Sequence, residues 1–244
     1  MVEFNIRLAN KVVAVSALYP STRDFCSEYI TCDAADFSVS VELSDILLED
    51  RKSDEERALE GLAVYKYSPE YLETLALYRK IAEGMARFDV ILFHGSAIML
   101  DGEAYIFTAK SGTGKSTHTR LWREVFSDRA VMINDDKPLI SLADGKPTVY
   151  GTPWCGKHGI GNNISAPVKA ICILNRAESN TIAKIPATLA MPELLVQTYR
   201  FSDAEGMKRV LASLDSLIKS VGIYRLACNM QPDAALVAYN GMKG

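Results

Sequence analysis

One segment of the chain combines glycines, a lysine and hydroxyl side chains at a spacing that suits phosphate binding. Ala109–Ser116 reads AKSGTGKS, which matches the pattern G-x-x-x-x-G-K-[ST] except that alanine takes the first glycine position. Glycines allow such a loop to curl until successive backbone N–H groups point at phosphate oxygens. Lys115 would reach the outer phosphates, and the Ser116 hydroxyl would bind magnesium. The segment therefore predicts a phosphate-binding loop (P-loop) for ATP and Mg²⁺.

The residues around this motif fit the same interpretation. An apolar strand pattern precedes the loop and a helical pattern follows it, so the helix N-terminus adds its partial positive charge. Ala109 is tolerated wherever the backbone φ is negative. The alternative is a glycine-rich turn before an ordinary helix. The predicted nucleotide-binding residues are Ser111, Gly112, Thr113, Gly114, Lys115, Ser116 and Thr117.

Two adjacent carboxylates follow the next apolar strand. Asn134, Asp135 and Asp136 come directly after the strand predicted at residues 130–133. A carboxylate in that place holds magnesium in P-loop proteins, and a second one could act as general base on an attacking hydroxyl. The pattern does not divide the two roles, so both aspartates are predicted as metal ligands and, with Lys115, as catalytic residues. A solvated turn after a strand is the alternative.

Two further segments could contribute to a phosphoryl-transfer site. His94 follows an apolar run, where a histidine could orient a phosphate or move a proton, or could simply be satisfied at a sheet edge. The segment 151–163 contains four glycines and is predicted to close on a substrate through Lys157 and His158. Lys157 could neutralise charge on the moving phosphoryl group. An ordinary surface loop is the alternative.

Strand and helix patterns around these residues predict a mixed sheet flanked by helices. Asp101-Gly102 and Asp144-Gly145 are turn signals that would join pairs of short strands. The predicted strands of this part are 97–100, 104–109, 130–133, 139–142, 148–150, 169–174 and 224–227, and the predicted helices are 116–126, 192–199 and 204–220. His118, in the first of these helices, is expected near the rim of the nucleotide rather than in catalysis.

The first part of the chain, residues 1–89, is predicted to form a smaller α+β region without recognisable chemistry. A capping-box spacing predicts a short helix from Ser53, and Ser68 followed by proline predicts the start of a longer one. The remaining residues, 90–244, then form the predicted P-loop domain.

The order of the signals in that domain resembles the catalytic domain of HPr kinase/phosphorylase. His94-Gly95, a hairpin, the loop Lys110–Ser116, a helix and Asp135-Asp136 follow one another as they do in that family. The letters SGTGKS also resemble the kinase loop of phosphoenolpyruvate carboxykinases, which share the fold. The likeness covers residues 91–140 well and the following glycine-rich loop loosely.

The resemblance implies an α/β domain with a mixed sheet of the HPr kinase/phosphoenolpyruvate carboxykinase type. It implies transfer of the γ-phosphate of ATP, with Mg²⁺, to a hydroxyl of a protein, peptide or small molecule, and it leaves a homo-oligomer open. His94 would lie beside the transferred phosphate. Lys110 stands where the family has an acidic residue, and the segment that docks HPr is not recognisable, so HPr is not the expected acceptor. A nucleotide-binding regulatory module and a plain ATPase remain as alternatives.

The composition argues against several other classes of protein. Hydrophobic residues make up 48% and charged residues 23% of the chain, which is typical of globular proteins. The net charge of −3 gives no reason to expect nucleic acid or an anionic membrane as partner. The N-terminus lacks the features of a signal peptide, and no apolar run reaches membrane-spanning length. Five cysteines without a CxxC pair favour a reduced, cytoplasmic protein.

Overall fold

The computed structural model describes residues 1–59 and 61–244, except for the side chain of Lys157. The chain divides into two compact units, Met1–Gly84 and Met85–Gly244. The predicted boundary between residues 89 and 90 stays a prediction. Within the described ranges, every helix is too short or too polar to span a bilayer.

The first unit contains a four-stranded sheet and α-helices. Its elements in chain order are β1 (Val2–Leu8), β2 (Lys11–Ala17), α1 (Pro20–Phe25), β3 (Ile30–Thr31), β4 (Phe37–Ser40), α2 (Leu43–Leu59) and α3 (Pro69–Met85, whose last residue belongs to the second unit). The strand order is β3-β1-β2-β4, with β2 and β4 parallel and the other pairs antiparallel. Every second residue of the later part of β2, namely Val13, Val15 and Ala17, is buried, as expected for a strand with one face on a core.

The two helix starts predicted in this unit have different outcomes. The start at Ser68 is confirmed, because α3 begins at Pro69 and the Ser68 hydroxyl accepts a hydrogen bond of 3.2 Å from the Tyr71 amide. The start at Ser53 is wrong, since that residue lies inside α2. The Asp45 carboxylate accepts a 2.9 Å hydrogen bond from the Glu42 amide, which is half of a capping box and marks the real beginning of α2.

The second unit is built on a nine-stranded mixed sheet, so the prediction of a mixed α/β fold is confirmed. Its elements are β5 (Val90–Leu92), β6 (Ser96–Leu100), β7 (Glu103–Thr108), α4 (Lys115–Phe126), β8 (Ala130–Asn134), β9 (Leu139–Ser141), β10 (Thr148–Tyr150), β11 (Ser165–Arg176), β12 (Thr181–Lys184), α5 (Ala187–Val196), α6 (Ala204–Ser220), β13 (Gly222–Cys228) and α7 (Asp233–Met242). Neighbouring strands follow the order β5-β9-β10-β11-β7-β6-β8, and β13 pairs with β11 and β12.

Strand direction brings the predicted site residues to one edge of this sheet. β7, β11 and β13 are parallel neighbours, whereas β6 is antiparallel to both β7 and β8. The carboxyl ends of β7, β8, β11 and β13 therefore lie at the same edge, where β6 begins. Ligands of open α/β sheets bind at this edge. It carries the glycine-rich loop after β7, the two aspartates after β8 and His94 before β6.

Helices cover both faces of the sheet. Ile106 of β7 belongs to a buried apolar cluster with α5 and α6. Its neighbour Phe107 belongs to a second cluster with α4 and α7, because successive strand residues point to opposite faces. The helix that follows the glycine-rich loop is thus anchored by the apolar residues of its buried side.

Turn signals and two of the three helix signals in this unit are confirmed, since α4 and α6 agree with the predicted helices 116–126 and 204–220 to within one residue. Asp101 and Gly102 both have positive φ, 53° and 85°, and join β6 to β7 as a tight hairpin requires. The helix predicted at residues 192–199 is wrong in its bounds, because α5 begins at Ala187 and contains Pro192 in its interior. The N-cap of α5 is another proline, Pro186.

Candidate functional site

The glycine-rich loop leads from β7 directly into α4. Gly112 and Gly114 have φ values of +74° and +124°, which side-chain-bearing residues rarely adopt. Ala109 has no positive φ and packs in the apolar cluster under α4, so alanine is accommodated at that position. The segment thus passes from a strand through two glycines with positive φ into a helix N-terminus, which is the order of elements found in phosphate-binding loops.

Lys115, the first residue of α4, points toward the two other polar segments of the edge. Its Nζ lies 3.1 Å from Nε2 of His94 and 3.5 Å from the carbonyl oxygen of Ala109. Burial lowers the pKa of Lys115, against the opposing influence of the negative charges of Asp136 and Asp135. Lys115 is therefore a partly buried amine beside the imidazole of His94 and near the negative charges of Asp135 and Asp136.

Asp135 is almost fully buried, with 5% of its surface exposed. The hydroxyl of Ser96 donates to the carboxylate Oδ1 at 3.0 Å and is 2.8 Å from the backbone oxygen of the same residue. Ser96 is the first residue of β6 and fixes the carboxylate to the neighbouring strand. The sequence had indicated no role for Ser96.

Asp136 lies closer to the opening of the site. Its Oδ1 is 3.4 Å from Nε2 of His94, and its backbone oxygen accepts a 2.9 Å hydrogen bond from Gly95. Burial alone would raise the pKa of Asp136, but the hydrogen bond from His94 and the charges of Lys137 and Lys115 outweigh it, so the pKa lies below its usual value. Asp136 is therefore a carboxylate at neutral pH.

Asn134, the last residue of β8, holds the two aspartates in place. It is fully buried, and its Oδ1 accepts hydrogen bonds from the amides of Asp136 at 2.9 Å and Lys137 at 2.7 Å. Its Nδ2 donates to the backbone oxygen of Thr152 at 3.1 Å and lies 3.0 Å from the hydroxyl of the same residue. This role of Asn134 was not predicted from the sequence, although an asparagine between an apolar strand and two aspartates is a signal for such a turn.

The glycine-rich segment 151–163 passes beside the end of β8. The Asn162 amide donates to the Ile133 carbonyl at 3.1 Å, and Gly161 forms an isolated bridge with Asn134. A Cβ on Gly156 would meet Cβ of Asp136 at 2.9 Å, so the segment approaches that aspartate closely. Of the predicted substrate residues, His158 lies here, whereas the side chain of Lys157 lies outside the described part of the chain.

A single cavity of about 430 Å³ joins these groups. Thr113 lines two adjoining cavities instead, of about 650 Å³ and about 460 Å³. All other described side chains of the predicted site line the central cavity, although their roles stay predictions. The lining residues are His94, Ser111, Gly112, Gly114, Lys115, Ser116, Thr117, Asp135, Asp136, Gly156 and His158.

His118 belongs to the packing beneath the loop. It is 2% exposed, and its Nε2 accepts a hydrogen bond of 3.1 Å from the indole Nε1 of Trp122. Burial lowers the pKa of His118 to about 4, so the imidazole is neutral under physiological conditions. It also lines the adjoining cavity of about 460 Å³, and its place near the rim of a nucleotide stays a prediction.

The donor set of the cavity fits magnesium and a polyphosphate. Among the described residues, no three histidine, cysteine or acidic side chains cluster closely enough to form a metal site by themselves. Magnesium does not need such a cage, because it keeps several waters and takes one or two carboxylates together with substrate phosphates. Ser116, Asp135 and Asp136 supply hydroxyl and carboxylate oxygens, and the loop backbone supplies N–H groups for phosphate oxygens.

Comparison with known proteins does not identify a family for this chain. No family model and no curated protein matches the chain. One solved structure, the Hpr(Ser) kinase/phosphatase from Coxiella burnetii, aligns with 62% of this chain and 86% of its own, at 12% identity and a TM-score of 0.33. A TM-score this low does not establish a shared fold, so the resemblance to HPr kinase stays a prediction and function must be inferred from the site.

Proposed function

We propose that the second unit is an ATP- and Mg²⁺-dependent phosphotransferase that moves the γ-phosphate to a hydroxyl group of an acceptor. The observation that carries this proposal is the convergence of Lys115, Ser116, Asp135, Asp136 and His94 on one cavity of about 430 Å³. These residues supply a cation, a hydroxyl and two carboxylates, which recur in phosphoryl-transfer sites, together with an imidazole.

The glycine-rich loop and Lys115 would bind the phosphate chain. Backbone N–H groups of the loop and the N-terminus of α4 provide a fixed positive field. The Lys115 ammonium is already desolvated, and an anion in the cavity would favour its charged form. Because these donors are held before any ligand arrives, little reorganisation is needed when charge shifts during transfer.

Ser116 and Asp135 would hold the metal. Asp135 is buried, and the Ser96 hydroxyl fixes its Oδ1 and hence the direction of the whole carboxylate. When bound, magnesium and ATP supply the transferable phosphoryl group and neutralise charge on it.

Asp136 would accept the proton of the acceptor hydroxyl. It is the more exposed aspartate, with 28% of its side chain accessible, and it is ionised at neutral pH. His94, 3.4 Å away, limits the orientations of the carboxylate. The wall formed by Gly156 and His158 faces the same cavity and would contact the acceptor.

Labelled ATP tests the reaction and separates the alternatives. Purified protein is incubated with ATP carrying a labelled γ-phosphate and an extract of the cells that make it. A labelled acceptor supports the phosphotransferase. Labelled free phosphate without an acceptor indicates an ATPase, and nucleotide binding without turnover indicates a regulatory module. Absence of both binding and turnover would contradict all three.

Asp136→Asn tests the assignment of the base. The amide keeps the shape of the carboxylate but cannot take the proton, so turnover should fall by about 100-fold or more while ATP affinity stays within about twofold. Asp128→Asn, at an exposed position after α4, is the matched control and should leave both quantities unchanged. If turnover survives both Asp136→Asn and Asp135→Asn, neither aspartate is the base.

A further inference from the structure

Arg176 contacts the glycine-rich loop from outside the central cavity. It is the last residue of β11, and its Nε donates to the Thr113 carbonyl oxygen at 3.1 Å. Its Nη2 donates to the carbonyl oxygen of the preceding residue, Gly112. Arg176 lines the adjoining cavities of about 650 Å³ and about 460 Å³ but not the central one. Its guanidinium therefore touches the loop without lining the place predicted for the β and γ phosphates.

These two hydrogen bonds restrict the orientation of consecutive peptide groups. In a trans peptide the C=O and the N–H point in opposite directions. A guanidinium bound to the carbonyls of Gly112 and Thr113 thus turns the N–H groups of Thr113 and Gly114 away from itself. The N–H of Thr113 donates to the Lys110 carbonyl at 3.2 Å and closes a turn. The N–H of Gly114 belongs to a residue that lines the central cavity.

The anchor of Arg176 is rigid, whereas the loop alone would not be. β11 pairs with β7 at residues 168–173 and with β13 at residues 170–176, so Arg176 itself is paired with Cys228 of β13. The loop contains two glycines with positive φ, and glycine-rich segments lose more conformational freedom on ordering than others. A planar guanidinium can bind both carbonyls at once in a fixed geometry, which a lysine ammonium cannot.

We propose that Arg176 is a positioning residue that holds the loop in its phosphate-binding curl before the nucleotide arrives. The proposal depends on the proposed function, since it assigns Arg176 to the same reaction. It acts through the loop backbone and does not contact the phosphates.

The test compares Arg176→Gln with the wild-type protein in binding ATP and inorganic tripolyphosphate, each with magnesium, by calorimetry. Tripolyphosphate lacks base and sugar, so it reports on the loop alone. Because two charge-assisted hydrogen bonds to the loop are lost, both affinities should fall by about tenfold. KM for ATP should rise by about the same factor with kcat within about twofold, since the loop binds the phosphates in ground and transition states alike.

Two further variants separate geometry from charge and from folding. Arg176→Lys keeps the charge but lacks the planar guanidinium that binds two carbonyls at once, so it should recover only part of the lost affinity. Arg120→Gln is the matched control, since Arg120 is exposed on α4 and pairs with Glu124. Its affinities should equal those of the wild type, and the melting temperature of Arg176→Gln should equal that of this control.

Three results would overturn the role of Arg176. Unchanged affinity of Arg176→Gln for ATP and tripolyphosphate excludes the positioning role. A loss for ATP without a loss for tripolyphosphate means that Arg176 touches the nucleoside instead. Full recovery by Arg176→Lys means that only charge matters. If the wild-type protein binds neither ATP nor tripolyphosphate, the proposed function itself fails, which is a different and recognisable outcome.

Discussion

At the scale of single residues, Lys115 occupies contacts that a phosphate would replace. Its Nζ lies 3.1 Å from Nε2 of His94 and 3.5 Å from the Ala109 carbonyl oxygen. A phosphate oxygen is a stronger partner for an ammonium, because ion-paired hydrogen bonds exceed neutral ones. Once Lys115 turns to a phosphate, His94 is left with Asp136 at 3.4 Å as its neighbour. Nucleotide binding would thus strengthen the contact that orients the proposed base.

His118 should make stability depend on pH. Its pKa is about 4 in the folded chain and about 6.5 when unfolded, so the unfolded chain binds the extra proton between these values. The contribution of His118 to stability is therefore fully present above about pH 6.5 and is lost as the pH falls toward 4. Between pH 7.5 and pH 5 the loss from this residue should be about 2 kcal/mol.

Urea unfolding at these two pH values measures that loss, without nucleotide or magnesium. His118→Gln should remove this part of the pH dependence, whereas the exposed His158→Gln should retain it. An equal loss of stability in the wild type and in His118→Gln would contradict a buried, neutral imidazole.

At the scale of elements, Asn134 joins the end of β8 to the glycine-rich segment 151–163. A double-mutant cycle of Asn134→Ala and Thr152→Val measures that connection. Asn134→Ala leaves the amides of Asp136 and Lys137 without their acceptor, so it should cost about 2 to 3 kcal/mol and lower turnover by about tenfold. The coupling energy of the pair should be about 1 kcal/mol.

The two single variants differ in which hydrogen bonds of Asn134 they remove. Thr152→Val removes one partner of Asn134 but leaves the Asp136 amide bonded. It should therefore lower the free energy of unfolding while changing turnover little. Strictly additive effects of the two substitutions would show that the Asn134 amide and the Thr152 hydroxyl are not coupled.

Glu73 of α3 has a comparable role in the first unit. It is fully buried, and it accepts hydrogen bonds from the amides of Leu18 at 2.5 Å and Tyr19 at 3.2 Å and from the hydroxyl of Thr22. Glu73→Ala would leave these donors without an acceptor, at a cost of about 3 kcal/mol.

Chemical unfolding monitored in the first unit measures the effect of Glu73. Glu70→Ala on the same helix is the control, because Glu70 is exposed and its removal should change stability by less than about 0.5 kcal/mol. Equal losses in the two variants would contradict the role of Glu73 as the acceptor for these donors.

Local signals in the sequence predicted those parts of the structure that depend on neighbouring residues. The glycine-rich loop between a strand and a helix, and the Asp101-Gly102 hairpin, need only a few adjacent residues and lie where they were predicted. Residues whose partners are distant in sequence could not be recognised. Arg176 reaches Thr113, and Ser96 reaches Asp135, through strand pairing that no local pattern shows.

At the scale of the whole molecule, the candidate site lies in one of the two units. All residues that line the central cavity belong to Met85–Gly244, on the carboxyl edge of its nine-stranded sheet. Four parallel strand ends and the start of β6 meet there, so the loop, the aspartates and His94 assemble through the topology of one sheet. The chemistry proposed for the protein therefore requires the second unit, while the first has no group assigned to it.

A crystal structure with magnesium and a non-hydrolysable ATP analogue tests the phosphate-binding claim most directly. We expect oxygens of the β and γ phosphates within about 3 Å of the backbone nitrogens of Gly114–Ser116 and of the Lys115 Nζ. The metal should lie beside Ser116 and Asp135. A nucleotide bound elsewhere, with the curl of the loop unoccupied or turned away from the two aspartates, would contradict the proposed function.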